Sequence, residues 1–411
     1  MSFLKKICTR LLMIFLGLTI TVLMLEITLY VIGYAYPILY VADDLRGWSL
    51  RPGISGKGTQ EGQKALLEIS SSGLRDREHT KIKLPDTLRI AVIGDSYSEA
   101  QQVSVDETFW SIIERELKHC SKLPAKYVEV LNFGVSGYGT GQELITLRHF
   151  VWEYSPDIIL LAFYPGNDYI DNYPVGAKTR PYFFMEDGEL ILDNSFRDSA
   201  DYQFRQSKLG QTTHFAVNHS RFLQLLKRQG ILTAMQSIVV KAVRIVDFGS
   251  SLKSESDNPV DQHVEAVEVT LPEGIPADVV SSVDTSLTPE PKAENGVQIE
   301  GKAGFITDYD SDKARAITKK LILTINKEVL DRDAKFVVME VTVGHKSEDR
   351  KYYSELDDLS EKNNIPLINL TSHFLSLGPE YDYHLYGHWD AHGHYIAGER
   401  SAHFICDNLF H

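Results

Sequence analysis

The sequence predicts an α/β fold in which one parallel sheet lies between two layers of helices. Apolar runs alternate with segments of helical spacing, and the runs are apolar almost throughout, as in strands buried on both faces. Five such strands imply a three-layer α/β/α arrangement with right-handed crossovers. We therefore expect a five-stranded parallel sheet of the flavodoxin-like type, with an N-terminal transmembrane helix before it.

The N-terminal half supplies three of these strands. The first is the apolar run from Leu88 to Ile93, which stops before a glycine. Tyr127 to Phe133 and Asp157 to Phe163 follow as the second and third strands. Helical spacing over Glu107 to Leu117 and Gln142 to Trp152 predicts the helices that connect them.

The C-terminal part supplies the other two strands. Lys335 to Val341 and Pro366 to Leu370 are short apolar runs. Helices are predicted over Lys313 to Leu330, Tyr352 to Lys362 and Ala391 to Leu409. The same alternation of strand and helix therefore resumes after the middle of the chain.

Two insertions are expected between these halves. Residues 176–250 form a cap-like segment, and we expect the aromatic residues Tyr182, Phe183 and Phe184 in the core of a helical cap. Residues 251–304 hold eleven acidic residues against three lysines, with five prolines and no aromatic residue. Because this composition buries little apolar surface, we expect a disordered or loosely held insertion, with a small irregular subdomain as the alternative.

The N-terminus predicts a membrane anchor over residues 1–41. Basic residues precede an apolar run that starts at Leu11, is interrupted by Glu26, and continues to Val41. The run is long enough to cross a bilayer, and the basic residues before it favour a cytoplasmic N-terminus. We expect a single-pass protein of the cytoplasmic (inner) membrane, with residues 42–85 as a lead-in to a periplasmic or extracellular domain. A cleaved signal peptide is the alternative, although its apolar region is normally shorter.

The net charge bears on possible partners, and the cysteines bear on possible disulfides. The net charge of -14 argues against a nucleic-acid partner, which requires a basic face. Cys8 would face the cytoplasm, whereas Cys120 and Cys406 would both be exported. In an oxidising compartment these two either form a disulfide or remain as two buried thiols.

Polar motifs follow the ends of the first three strands, where open α/β sheets bind their ligands. The Gly-Asp-Ser sequence at 94–96 places the Ser96 hydroxyl at this edge and its amide at the start of a helix. The glycine-rich stretch 132–140 exposes backbone amides, and Asn167 can donate a hydrogen bond to a developing oxyanion. Helix capping, a flexible loop and a turn asparagine are the respective alternatives.

Four histidines precede or begin the last helix, and they are His384, His388, His392 and His394. A metal site is one interpretation, but their spacing matches no familiar zinc pattern. A single histidine acting as general base fits better, because a serine nucleophile needs one within hydrogen-bond reach. We therefore predict a site without metal or cofactor.

Together, in this order, the motifs resemble the SGNH (GDSL-like) hydrolase superfamily, in particular a bacterial membrane-anchored subgroup. The resemblance covers Ile69 to Leu409 without the acidic insertion, and it implies a hydrolase domain made of residues 86–175 and 305–411. It implies that Ser96 attacks an ester carbonyl and that His388 takes its proton. His388 is chosen because the sequence from it into the last helix matches the late histidine block.

The resemblance also implies an oxyanion hole. Its donors would be the backbone amides of Ser96 and Gly137 and the side chain of Asn167. Gly137 is chosen over Gly134 because the sequence Asn-x-x-x-Ser-Gly, beginning at Asn132, matches the second block of the family.

The chain departs from the family at the acid that should orient the histidine. The family usually has an aspartate two or three residues before it, where this chain has Tyr386 and Leu385. Asp382 upstream and Asp390 downstream are the nearest candidates. A backbone carbonyl that orients the imidazole of His388, leaving a Ser-His dyad, is the third possibility.

Three functions remain open at this point. The first is a serine esterase that hydrolyses acyl esters, acetyl esters among them, of an acylated glycan or lipid. The second is an O-acyltransferase that uses the same acyl-enzyme to modify an envelope or exported polysaccharide. The third is a non-catalytic envelope binding protein on the same scaffold, which the displaced aspartate alone suggests.

Overall fold

A computed structural model of the chain describes residues 2–58, 65–173, 179–232, 311–342, 350–377, 384–385 and 387–410. The chain divides into two compact units, one of Met1–Tyr34 with Phe215–Asn295 and one of Ala35–His214 with Gly296–His411. The predicted acidic insertion and the candidate acid Asp382 lie outside the described residues.

The described helices and strands are numbered in chain order. The helices are α1 (Ser2–Val31), α2 (Ser96–Glu99), α3 (Phe109–Leu117), α4 (Thr140–His149), α5 (Pro165–Asp171), α6 (Ala200–Gln206), α7 (Lys208–His219), α8 (Arg221–Arg228), α9 (Ser311–Leu330), α10 (Arg350–Asn363), α11 (Leu370–Ser376) and α12 (Ala391–Leu409). The strands are β1 (Tyr40–Asp43), β2 (Gly47–Leu50), β3 (Ser55–Lys57), β4 (Leu66–Glu68), β5 (Thr87–Gly94), β6 (Tyr127–Asn132), β7 (Ile158–Phe163), β8 (Tyr182–Glu186), β9 (Glu189–Asp193), β10 (Lys335–Glu340), β11 (Leu367–Asn369), β12 (His384–Leu385) and β13 (His388–Trp389).

In the first unit, α1 is a candidate membrane span. Its residues Lys5–Val31 are long and apolar enough to cross a bilayer. The helix ends at Val31, shortly before Gly33, whose left-handed φ of 69° terminates it. There the amide of Tyr34 donates to the Leu29 carbonyl at 2.9 Å, a pattern that ends helices. The apolar sequence between this end and Val41 therefore does not extend the helix.

The acidic residue that interrupts the apolar run has a defined partner in the same unit. The carboxylate of Glu26 accepts hydrogen bonds from the backbone amides of Arg221 at 2.6 Å and Phe222 at 2.9 Å. The Ser220 hydroxyl donates to it as well, at 3.0 Å. Glu26 thus satisfies the free amides at the N-terminus of α8, where a negative charge is favourable.

In the second unit, the predicted five-stranded sheet is confirmed. Its spatial order is β11-β10-β7-β5-β6, and every neighbouring pair is parallel. Numbered within the sheet, this is the 2-1-3-4-5 order of flavodoxin-like folds. The strand directions bring the carboxyl ends of β5, β6 and β7 to one edge.

Helices cover both faces of this sheet. One face packs against α3, α11 and α12, and the other packs against α4, α5, α9 and α10. Helices α3 and α12 approach so closely that a Cβ at Gly398 would lie 2.6 Å from the Cβ of Ile112. The strands are buried along almost their whole length, which is why their sequences are apolar throughout.

Of the four two-stranded antiparallel pairs among the described residues, three lie in the lead-in and the cap-like segment. The lead-in contains the antiparallel pairs β1–β2 and β3–β4, and the cap-like segment contains β8–β9. The expectation of a helical cap around Tyr182, Phe183 and Phe184 is therefore wrong, because these residues form β8. The turn after it holds Asp187 and Gly188 with φ of 50° and 81°, the geometry that an Asp-Gly pair favours in tight hairpins.

A disulfide joins two parts of the second unit that are distant in sequence. Cys120, just beyond α3, is bonded to Cys406 in α12, across 286 residues of sequence. Of the two alternatives for these cysteines, the structure contains the bridge. The bridge fastens the last helix, α12, to the segment that follows α3.

We expect Cys120→Ser and Cys406→Ser each to lower the free energy of unfolding by about 2–4 kcal/mol, because the bridge restricts the unfolded chain. The double variant should be no less stable than either single variant. Cys8→Ser is the control, since Cys8 is a free, exposed thiol. Guanidinium unfolding of the full chain in detergent measures this, and equal midpoints for all variants would contradict it.

Glu340 is a buried acid at the carboxyl end of β10. One carboxyl oxygen accepts from the Thr371 amide at 3.3 Å. Burial raises the pKa of Glu340 to about 7. Its folded pKa thus lies above the unfolded value, so its stabilising effect is complete below pH 4.5 and disappears as the pH rises through 7.

Glu340→Gln tests this titration. The glutamine has no proton to lose, so the variant should gain stability relative to wild type between pH 5 and pH 8, by on the order of 2 kcal/mol. Unfolding curves of both proteins across this range give the difference directly. Parallel stability profiles would show that Glu340 does not titrate in this way.

Candidate active site

Ser96 follows the carboxyl end of β5, which lies between β7 and β6 in the sheet, as the sequence predicts. The strand ends at Gly94, and α2 begins at Ser96 with Asp95 as its N-cap. The Asp95 carboxylate accepts from the Tyr97 amide at 2.9 Å. A Cβ at Gly94 would lie 2.4 Å from the Ser98 hydroxyl oxygen, so only glycine permits this tight passage from strand to helix.

His388 contacts the predicted nucleophile. Its Nε2 lies 2.8 Å from Ser96 Oγ, although 292 residues separate the two in sequence. His388 begins β13, which pairs with β12 in a short antiparallel ribbon just before α12. The histidine selected from the four in this region is thus the one that the fold brings to the serine.

The backbone around His388 is fixed at several points. The Tyr97 hydroxyl donates to the Gly387 carbonyl at 2.5 Å, and its ring packs against the imidazole with centroids 4.9 Å apart. On the other side, Trp389 Nε1 donates to the Thr342 carbonyl at 2.9 Å. These contacts hold the residues before and after His388, so the imidazole is carried on a rigid backbone.

The two candidate acids differ in what the structure shows of them. Asp382 is outside the described residues. Asp390 is the N-cap of α12, and its carboxylate accepts from the Gly393 amide at 2.8 Å. Capping occupies one carboxylate oxygen of Asp390, and its role as the acid for His388 stays a prediction.

Asn167 lies in the first turn of α5, at the end of β7. Its Nδ2 donates to Asp95 at 2.8 Å. Since an amide nitrogen carries two hydrogens, the second remains for another acceptor. The bond to Asp95 thus ties Asn167 to the residue beside Ser96, which brings two of the predicted oxyanion donors together.

Gly137 lies in a tight turn after β6. The Tyr138 amide donates to the Val135 carbonyl at 3.1 Å, which closes a four-residue turn with Gly137 at its third position. Its φ of 76° is the conformation that favours glycine there. Gly134 has a packing role instead, since a Cβ there would lie 2.2 Å from the Cβ of Ser98.

A cluster of buried acids surrounds Asp95. Burial raises the pKa of Asp95 to about 6, and the bonds from Tyr97 and Asn167 oppose this rise. Burial, followed by the charges of nearby acids, raises the pKa of Glu143 and of Asp168 well above the usual carboxyl range. Burial and the neighbouring charges thus favour the protonated forms of Glu143 and Asp168, which lie beside the hydrogen-bonded Asp95.

Of the other histidines in the cluster, the structure describes the side chains of His392 and His394. His394 is buried, stacks on Phe109, and accepts from the Phe109 amide at 3.3 Å through Nδ1. Burial lowers the pKa of His394 to about 3. His392 is exposed. Among the described residues there is no group of three or more His, Cys, Asp or Glu side chains that could hold a metal ion.

Three residues at the site were not predicted from the sequence. Tyr97 was not singled out, although its place directly after Ser96 was a usable signal. The buried acids Glu143 and Asp168 were also missed, because nothing in their local sequence marks them as neighbours of Asp95.

No family model and no curated protein matches the chain. Solved structures similar to it include an acetylxylan esterase of Geobacillus stearothermophilus in a catalytic mutant form, 10% identical with a TM-score of 0.36, covering 81% of this chain and 99% of that one. A G-D-S-L family lipolytic protein of Desulfitobacterium hafniense is 7% identical with a TM-score of 0.32, covering 77% and 98%. A lipase/acylhydrolase of Enterococcus faecalis is 11% identical with a TM-score of 0.34, covering 78% and 95%. At such values no residue role is transferred, and the roles of Ser96 and His388 rest on their own geometry.

The capping role of Asp390 leads to a prediction that separates it from a catalytic one. Asp390→Ser keeps an N-cap, so stability should stay within about 0.5 kcal/mol, whereas Asp390→Ala should lose about 1 kcal/mol. Both variants should react with a fluorophosphonate at Ser96 at rates near that of wild type. A loss of about 10⁴ in rate for Asp390→Ser would instead identify Asp390 as the acid that orients His388.

Proposed function

We propose that the chain is a serine esterase of the SGNH type, which hydrolyses acyl esters through an acyl-enzyme. The observation that carries this proposal is the 2.8 Å contact between Ser96 Oγ and His388 Nε2 at the ligand edge of the sheet. A serine and a histidine in this relation form an activated nucleophile. The half-buried positions of both side chains leave them open to a substrate.

The first half-reaction forms the acyl-enzyme. Ser96 Oγ attacks the ester carbonyl carbon while its proton passes to His388 Nε2. The carbonyl oxygen becomes an oxyanion that accepts from the amides of Ser96 and Gly137 and from Asn167 Nδ2. The carbon–oxygen bond to the alcohol then breaks, and His388 returns the proton to the leaving alcohol.

The second half-reaction releases the acid. Water attacks the acyl carbon, His388 takes its proton, and Ser96 recovers this proton as the ester bond to it breaks. The negative charge of Asp95 acts in both half-reactions. Its carboxylate interacts favourably with protonated His388, and it accepts from Asn167 at 2.8 Å. The negative charge therefore stabilises the imidazolium and holds the oxyanion donor in place.

An exported location fits these features. We propose that α1 anchors the chain in the cytoplasmic membrane, with the N-terminus inside and the site outside. The disulfide between Cys120 and Cys406 supports export, because such bonds persist in oxidising compartments. Acylated glycans and lipids are the substrates that such a site would meet there.

Fluorophosphonate labelling of the full chain in detergent tests the nucleophile. Wild type should be labelled, Ser96→Ala should not, and His388→Ala should react at least about 10³-fold more slowly. Ser98→Ala is the matched control, because it removes a buried hydroxyl of the same helix that has no partner among the described residues. Undiminished labelling of Ser96→Ala, or no labelling of folded wild type, would reject the proposal.

The fate of the acyl group distinguishes hydrolase from transferase. With p-nitrophenyl acetate as donor, free acetate should form at the rate of p-nitrophenol release, with or without added sugars. An added glycan that takes most of the acetyl group would favour the O-acyltransferase alternative, since both use the same acyl-enzyme.

A further inference from the structure

The orientation of one peptide group decides whether Gly137 can serve the oxyanion. The amide hydrogen of Gly137 and the carbonyl of Ser136 belong to the same planar peptide and point in opposite directions. This peptide is the central one of the turn from Val135 to Tyr138. A positive φ at the third position is the mark of a type II turn, in which this central peptide is turned over relative to type I.

A side chain from the lead-in holds this peptide. Trp48, in β2, is buried, and its Nε1 donates to the Ser136 carbonyl at 3.1 Å. The Trp48 carbonyl in turn accepts from the Tyr138 hydroxyl at 2.6 Å, and the two rings pack edge to face at 5.7 Å. Trp48 therefore contacts the turn on both sides of Gly137.

From this contact we infer that Trp48 is a positioning residue for the oxyanion hole, which rests on the function proposed above. By binding the Ser136 carbonyl, the indole fixes the direction of the Gly137 amide hydrogen. The same bond polarises the peptide, which makes its amide a stronger donor. The β1–β2 hairpin, outside the sheet, thus takes part in the site through the hydrogen bond from Trp48 to the Ser136 carbonyl.

The neighbouring peptides of the turn are held as well. The Ser136 amide donates to Glu99 at 2.6 Å, and Arg180 donates to the Gly137 carbonyl at 2.7 Å. Arg180 also lies over the Trp48 ring, 5.0 Å from its centroid. These contacts fix the turn before and after the central peptide, so Trp48 supplies the bond that selects the direction of the peptide itself.

Two substitutions of Trp48 separate the effect of its hydrogen bond from the effect of the size of its ring. Trp48→Phe keeps an aromatic ring and removes the donor. Trp48→His keeps a donor, because imidazole Nε2 occupies the ring position of indole Nε1, but removes the larger ring. Tyr138→Phe is the matched control, because it removes the other hydrogen bond between hairpin and turn and leaves the Ser136 carbonyl bonded.

Hydrolysis of p-nitrophenyl acetate by the full chain in detergent is the measurement. A misdirected oxyanion donor stabilises the transition state less well. The kcat of Trp48→Phe should therefore fall about tenfold or more below that of wild type, while its KM stays within about twofold. Trp48→His should keep kcat within about threefold of wild type, even at a lower melting temperature, and Tyr138→Phe should do the same.

The outcomes separate the inference from the proposed function. Unchanged kcat for a folded Trp48→Phe, or equal losses in the Phe and His variants, would overturn the inference and leave the esterase intact. If Trp48→Phe does not fold, a folded Trp48→His with a tenfold loss in kcat overturns it as well. Wild type that neither hydrolyses the ester nor reacts with a fluorophosphonate overturns the proposed function, and the inference with it.

Discussion

The site depends on one buried carboxylate, that of Asp95. It accepts from the Tyr97 amide, which starts α2 and sets the direction of Ser96, and from Asn167 Nδ2, which ties α5 to the same point. Two helices that follow different strands are thereby joined beside the nucleophile. Such a carboxylate must be fully hydrogen-bonded, because an unpaired charge at this depth would be costly.

Burial and a neighbouring acid disfavour the ionised form of Asp95. Both carboxyl oxygens of Glu143 are buried and have no hydrogen-bond partner among the described residues. Since burial and nearby charge raise the pKa of Glu143 and Asp168, protons on these groups relieve the repulsion. Asp95 itself lies close to His388 and accepts a hydrogen bond from the side-chain amide of Asn167. The buried acids therefore lower the local stability, while the carboxylate of Asp95 is held close to His388.

The sequence predicted the sheet well because buried parallel strands are apolar on both faces, as β7 shows with six buried residues from Ile158 to Phe163. It indicated Ser96 because a Gly-Asp-Ser motif follows an apolar strand, and His388 because the residues that follow it resemble a known histidine block. It did not predict the β8–β9 hairpin, although Asp187-Gly188 carries a known turn signal, because the aromatic residues before this turn also suit the core of a helical cap. Trp48 could not be found this way, because its bond to Ser136 spans 88 residues and depends on tertiary packing alone.

The absence of an aspartate two or three residues before His388 need not leave the imidazole loosely held. Here the backbone is anchored at Gly387 by the Tyr97 hydroxyl and at Trp389 by a buried indole, and Asp390 fixes the start of α12 directly after them. The residues that flank His388 are thus tied to α2, to Thr342 after β10 and to the first turn of α12. A ring on such a backbone loses little freedom on reaching Ser96, so orientation comes from the scaffold as well as from any carboxylate.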